Sequence, residues 1–137
     1  MQLKLLLVRD GETIFEMPLS PEDWPHKKLE RELEAVEEDF EKFSKIFDAL
    51  SHETRLQMMS HLVGERDRTM SFADFMHDLD LNPKLVWENS RKLVECGFLQ
   101  KSGRGQYSCS ERGQTTFMMM SLALRRLIES LEEMENL

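Results

Sequence analysis

Residues 48–113 constrain the fold more than any other part of the chain. They hold two short helical segments, a proline-started helix and a glycine-tipped basic hairpin, in that order. Ser71-Phe72-Ala73-Asp74-Phe75-Met76-His77-Asp78-Leu79 reads as one short helix, and Asp80-Leu81 as a turn. Asn82-Pro83 follows as an N-cap with proline in the first helical turn, where a missing N–H does no harm. The next helix runs to Cys96 and stops at Gly97, a residue that tolerates the left-handed conformation a helix end requires. Residues 98–101 and 106–110 then flank Ser102-Gly103-Arg104-Gly105. Helix, turn, helix and β-ribbon predict a winged helix-turn-helix, an arrangement suited to reading a DNA groove.

A chain of 137 residues fits one small domain with helical extensions. With 40% hydrophobic and 32% charged residues it is globular rather than disordered. The apolar run at residues 3–8 is broken at once by Arg9-Asp10-Gly11, so neither a signal peptide nor a membrane anchor is expected. Two cysteines, Cys96 and Cys109, are too few for a disulfide framework and point to a reducing cytoplasm.

The net charge of −8 argues against a polyanionic partner until its distribution is considered. Residues 82–126 carry eight basic side chains against three acidic ones, whereas residues 1–81 carry ten against nineteen. Positive charge therefore collects on the reading helix, the wing and the helix after it, where phosphates would lie. The acidic remainder should weaken non-specific DNA binding and make specific binding depend steeply on salt.

The motif Asp48-Ala49-Leu50-Ser51-His52-Glu53-Thr54-Arg55-Leu56 resembles the opening of ArsR-type winged-helix transcriptional regulators. The likeness continues through Leu79-Asp80-Leu81-Asn82 and Leu93-Val94-Glu95-Cys96-Gly97-Phe98-Leu99. It resumes at Tyr107-Ser108-Cys109-Ser110-Glu111-Arg112-Gly113, where such proteins carry the second wing strand and the start of a final helix. It covers residues 44–115, about half the chain, and implies a DNA-binding regulator by analogy of fold. Some members sense metals through paired cysteines on the first helix of the motif, others through Asp/His clusters on the last helix. This chain has no cysteine among residues 72–79 and no histidine after His77, so the resemblance carries no metal sensing over. His26, His52, His61 and His77 show no ligand spacing either, and neither a metal nor a cofactor is expected.

Outside the motif, residues 2–8 and 13–17 read as a β-hairpin on an Asp10-Gly11 turn, which must pack on the domain or on another chain. Residues 18–25, with three prolines, read as a connector. Leu29, Leu33, Val36, Phe40, Phe43, Phe47 and Leu50 then recur at spacings of 4 and 3 in an unbroken heptad seam. Phe117, Met120, Leu124, Leu127, Leu131 and Met134 repeat the device. Both seams need an apolar partner along their length. Two symmetry-related chains would supply it, and an intramolecular helical pair is the alternative. The expected segments are thus 1–25 (hairpin and connector), 26–50 (heptad helix), 51–113 (winged helix-turn-helix, with Ser51 as first N-cap) and 114–137 (dimerisation helix). The fold class is mainly α with a small β component.

On the reading helix Val86, Ser90, Leu93 and Val94 form the core face. Lys84, Trp87, Glu88 and Arg91 fall opposite, toward a major groove. Lys84 and Arg91 suit phosphates or guanine edges, Glu88 a cytosine amino group and Trp87 a thymine methyl. Asn89 at the flank can reach a phosphate or an adenine if the helix rolls. Thr69 and Ser71, before the first helix of the pair, suit the DNA backbone. Lys101 and Arg104 beside the wing glycines suit a minor groove or the backbone, and Arg112 a phosphate or a local carboxylate. Each charged group has a plain alternative as a solvated surface residue. Leu85 and Trp87 make this face less polar than most reading helices.

No phosphate-cradling glycine loop, nucleophile–base grouping or metal cluster occurs, so an enzyme is not expected. The reading is a homodimeric, cytoplasmic regulator on a two-fold double-stranded DNA site, with no effector chemistry written in a recognisable motif. The rival is a winged helix serving as a protein-interaction module without direct DNA binding. Net acidity, Trp87 and the spare hairpin favour that rival. An architectural protein lacking sequence preference conflicts with the acidity, since such proteins depend on backbone charge alone.

Overall fold

The computed structural model describes residues 2–136. Met1 and Leu137, the outer ends of the first and last expected segments, lie outside the described residues. The chain divides into two compact units, Met1–Phe43 and Ser44–Leu137.

In the first unit β1 (Lys4–Arg9) and β2 (Glu12–Pro18) form the expected antiparallel hairpin. Asp10 at φ 51° and Gly11 at φ 83° make the tight turn that the Asp-Gly pair prescribes. Leu5 pairs with Met17 and Leu7 with Phe15, so one face of the hairpin is apolar. Lys4 bonds Glu16 at 2.7 Å on the other. A short turn at Pro21–Asp23 leads to Trp24, whose indole donates to the Pro18 carbonyl at 2.8 Å, and then to α1 (His26–Glu38).

The single helix expected over residues 26–50 is interrupted. α1 ends at Glu38, Asp39 leaves helical geometry at φ −102°, ψ 8°, and α2 (Phe40–Ala49) begins anew. Glu37, Glu38 and Asp39 crowd the negative end of α1, where no basic residue offsets them, and Asp is a poor interior helix residue. Leu33, Val36, Phe40 and Phe47 of the seam are exposed.

In the second unit α3 (Glu53–Gly64), α4 (Phe72–Leu79) and α5 (Pro83–Glu95) surround a core of Met58, Met59, Leu62, Phe75, Val86 and Leu93, each at most 1% exposed. The first N-cap is His52, not Ser51. The Ser51 hydroxyl turns back to the Asp48 carbonyl at 2.8 Å and is lost to the cap. Ser71 caps α4 reciprocally, its Oγ accepting from the Asp74 N–H while Asp74 accepts from the Ser71 N–H, both at 2.9 Å. Asp80 ends that helix at φ 51° and makes the turn. Asn82 accepts from the Leu85 N–H at 2.9 Å and Pro83 begins α5, both as expected. α5 closes with paired bonds, Phe98 N–H to the Leu93 carbonyl (2.9 Å) and Gly97 N–H to that of Val94 (3.1 Å), around Gly97 at φ 83°.

A third strand, which periodicity did not predict, completes the sheet. β3 (Thr69–Ser71), β4 (Leu99–Lys101) and β5 (Gln106–Cys109) are antiparallel in the order β3-β5-β4. Met70, Leu99, Tyr107 and Cys109 face the core, and Gln100 and Ser108 alternate outward. Helix, turn, helix and three-stranded wing make this an α+β winged helix-turn-helix.

The final helix starts on Ser110, whose Oγ accepts from the Gly113 N–H at 2.9 Å and donates to the Gly97 carbonyl at 2.8 Å. α6 (Glu111–Met118) passes through a π-helical stretch at Met119–Ala123 into α7 (Leu124–Glu135). The Ser121 hydroxyl takes the Phe117 carbonyl one turn back, a competition that loosens a helical ladder at such points. Leu124 and Leu131 of the second seam are exposed, and Phe117 is buried.

Gly113 is the one glycine, among the described residues, with no room for a side chain. A Cβ there would lie 2.5 Å from the Phe98 carbonyl oxygen and 2.9 Å from Phe98 Cα, backbone atoms that cannot step aside cheaply. Gly113→Ala is therefore expected to destabilise the chain by about 1–3 kcal/mol. A urea melt within ~0.3 kcal/mol of the parent would contradict this contact.

Candidate nucleic-acid interface

α5 and the wing present the groups that the sequence singled out. Lys84, Trp87, Glu88 and Arg91 are all exposed on one face of α5, with Trp87 at 52%. The cations of this face are not free. Lys84 Nζ lies 3.9 Å from Glu88, and Arg91 Nε lies 3.0 Å from Glu95 with its guanidinium 5.1 Å from the Trp87 ring centroid. In both pairs the cation precedes the carboxylate, the weaker orientation on a helix, and such exposed pairs contribute only about 0.3–0.5 kcal/mol. Pairs this weak hold the side chains only loosely. Lys84 also stands in the first turn of α5, where no acidic residue meets the positive helix end.

The wing extends from the same framework. Gly103 (φ 80°) and Gly105 (φ 67°) allow the hairpin tip to turn, and Arg104 between them is exposed. The Gly105 carbonyl accepts from the Phe72 N–H at 2.8 Å, tying the tip to the start of α4. Lys101 is not at the tip. It ends β4 with its ammonium 6.0 Å from the Tyr107 ring centroid, so its stem lies along an aromatic face. Ser90, buried on α5, places its hydroxyl 3.4 Å from Tyr107 Oη, joining the reading helix to the wing. Arg112 is exposed in the first turn of α6.

Three expected contacts are differently employed. Ser71 is half-buried and committed to the α4 cap. Thr69, also half-buried, donates its hydroxyl to the Asp67 carbonyl at 3.3 Å and its N–H to the Asp67 carboxylate at 3.1 Å. Asn89 donates to the Leu85 carbonyl at 2.8 Å and accepts from Arg55 at 3.2 Å. Its side chain turns along the helix and toward α3.

The sequence reading passed over Arg55. It is 7% exposed, with Nε donating to the Ala49 carbonyl and Nη2 to that of Asp48, both at 2.7 Å. The signal was present: Arg55 precedes Met58, Met59 and Leu62 at helical spacing, so a cation stands on the buried stripe. Beside it Lys92 Nζ meets the Asp48 carboxylate at 2.5 Å, and this hydrogen bond holds the Asp48 carboxyl below the usual aspartate range. Asp48, His52, Arg55, Leu85, Glu88, Asn89 and Lys92, with Thr54, line an open groove of about 480 Å³ along α5.

Burial pushes the Cys109 thiol up to about 11 and raises that of Cys96 as well, opposite to what a reactive thiolate requires. Iodoacetamide at pH 8 should therefore leave Cys109 unmodified in the folded protein and modify it after urea unfolding. Labelling of native Cys109 at the rate of a free thiol would contradict its burial. Among the described residues no group of three or more His, Cys, Asp or Glu side chains is placed to hold a metal ion. Among them, too, no helix is long and apolar enough to cross a membrane.

No family model matches the chain, and neither does any curated protein. Solved structures do match in shape. A MarR family transcriptional regulator, Sco5413 from Streptomyces coelicolor, superposes with a TM-score of 0.54 at 12% identity, over 80% of this chain and 81% of that one. Rv0081 from M. tuberculosis gives 0.53 at 18% identity, over 69% and 93% of the two chains. Reduced HlyU from Vibrio cholerae N16961 gives 0.52 at 18% identity, over 63% and 92%. At such identities the likeness establishes the fold, and the fold is that of winged-helix proteins.

Proposed function

We propose that the chain is a sequence-specific, DNA-binding transcriptional regulator of ArsR-like type, acting as a homodimer on a two-fold operator. One observation carries the reading: α5 exposes Lys84, Trp87, Glu88 and Arg91 beside a wing whose tip exposes Arg104. This is also the part of an acidic chain in which positive charge predominates. α5 enters the major groove. Arg104 and Lys101 follow the adjacent minor groove or backbone, and Arg112 takes a phosphate at the start of α6. Thr69 and Ser71 contribute to the backbone contact through the β3 edge rather than through free hydroxyls. Residues 51–113 form the DNA-binding part, and the exposed parts of the seams in 26–50 and 114–137 supply the dimer contact that sets the half-site spacing. The resemblance at Asp48–Leu56 and the likeness of fold to a MarR family transcriptional regulator support this reading.

The exposed pair Leu85 (39%) and Trp87 (52%) favours a second reading, a winged helix that binds protein through this face. Selection from random duplex DNA with the purified full-length chain separates the two. Enrichment of a motif with two-fold symmetry supports the regulator. A pool that stays random while the protein is folded and dimeric supports the interaction module.

A further inference from the structure

The bonds of Arg55 give the reading helix a fixed attachment. This side chain emerges from the first turn of α3 and is nine-tenths buried, yet its hydrogen bonds to Asp48, Ala49 and Asn89 all leave its own helix. Two donors go to the carbonyls of Asp48 and Ala49 at the end of α2, the first of which also accepts from Ser51. The third, Nη1, reaches Asn89 in the middle of α5 at 3.2 Å. Asn89 is itself held, its amide donating to the Leu85 carbonyl. A second link runs parallel, from Lys92 one turn along α5 to the Asp48 carboxylate. The end of α2 and the flank of α5 are thus joined by two cation bridges that converge on Asp48 and Ala49. Asn89 and Lys92 flank the face that carries Glu88 and Arg91, so the clasp fixes how far that face is rolled. An amide acceptor at 3.2 Å from a guanidinium has one requirement, an oxygen at that place.

We propose that Arg55 is the positioning residue of the reading helix: through Asn89 it sets the roll of α5 relative to the end of α2, and so the aim of Lys84, Trp87, Glu88 and Arg91 on DNA. The proposal rests on the DNA-binding reading. It assigns Asn89 an intramolecular role in place of the base or phosphate contact that its sequence position suggests. It also means that any change in the pitch of α2 is transmitted to α5 at these two bridges.

The test is an anisotropy titration of the full-length chain on a duplex of the enriched sequence, with thermal melts in parallel. Asn89→Ala removes the acceptor and should weaken binding about tenfold, the scale of one hydrogen bond to a charged group, with an unchanged salt slope because no phosphate contact is lost. Asn89→Asp keeps an oxygen for Arg55 and should restore affinity to within about threefold of the parent. A residue touching DNA would behave oppositely, since a carboxylate there faces phosphate. Arg55→Lys keeps the charge but cannot fork to three acceptors and should resemble Asn89→Ala. If its melt shows that it does not fold, the two Asn89 variants carry the test. Parent-like binding by Asn89→Ala, or an Asp variant weaker than the Ala variant, overturns the positioning role while the parent still binds. A parent chain that binds no duplex overturns the DNA reading itself, and this role falls with it.

Discussion

The double variant Lys101→Ala/Arg104→Ala is expected to bind the selected duplex about 100- to 1,000-fold more weakly at roughly 0.1 M salt, with its melting curve unchanged. At that salt each neutralised phosphate contributes roughly a factor of eight, because its condensed counterions are released. In the proposed homodimer, two residues on each of two protomers give a ceiling somewhat above 10³. Lys101 keeps the effect below that ceiling, since its ammonium already lies over the Tyr107 ring, 6.0 Å from the centroid. Arg104 has no such engagement described and stands exposed at the tip. The salt slope should fall by about three to four units alongside the affinity, the signature of phosphate rather than base contact. Both side chains are exposed, so folding should not register the change. Affinity within twofold of the parent would remove the wing from the interface.

Phe75→Ala is expected to cost about 3–5 kcal/mol of stability, a large part of the 5–15 kcal/mol that holds a typical domain folded. Phe75 is fully buried, the one buried residue of α4, and its ring packs 5.9 Å from that of Tyr107 at 57°. It therefore joins the first helix of the reading pair to the central strand β5. Removing it opens a cavity between these two elements of the winged domain. Urea unfolding followed by circular dichroism reads the loss directly. A cost below ~1 kcal/mol would mean that the site collapses and that this contact does not organise the domain.

Much of the winged domain was legible because its boundaries are written in local chemistry. Asn82-Pro83 and Gly97 mark the ends of α5, and the structure satisfies both ends with the bonds their residue types favour. The Asp10-Gly11 turn was equally plain. What escaped depends on partners distant in sequence. β3 is three residues long, too short to show alternation, and exists because Met70 pairs with Tyr107. The Ser51 cap failed because Ser51 found the Asp48 carbonyl instead, a competition that residue type cannot decide. The breaks at Asp39 and at Met119–Ala123 lie inside perfect apolar repeats, since periodicity reports a face and not the continuity of the ladder. At the candidate site, exposure on α5 followed the helical wheel for Lys84, Trp87, Glu88 and Arg91. Asn89 is half-buried at the flank, as the wheel places it, but its partner Arg55 lies on another helix and was not legible.

The central claim, direct recognition of duplex DNA by α5 and the wing, is tested most simply by fluorescence anisotropy of the purified chain on the selected duplex across a salt series. In the proposed homodimer Lys84, Arg91, Lys101, Arg104 and Arg112 on two protomers offer up to about ten phosphate contacts, so log K should fall with log salt at a slope of roughly −6 to −9. A scrambled duplex should bind at least about 10³-fold more weakly at the same salt. Absence of binding to any duplex at low salt, from a folded chain, would contradict the claim and turn the search toward a protein partner for Leu85 and Trp87.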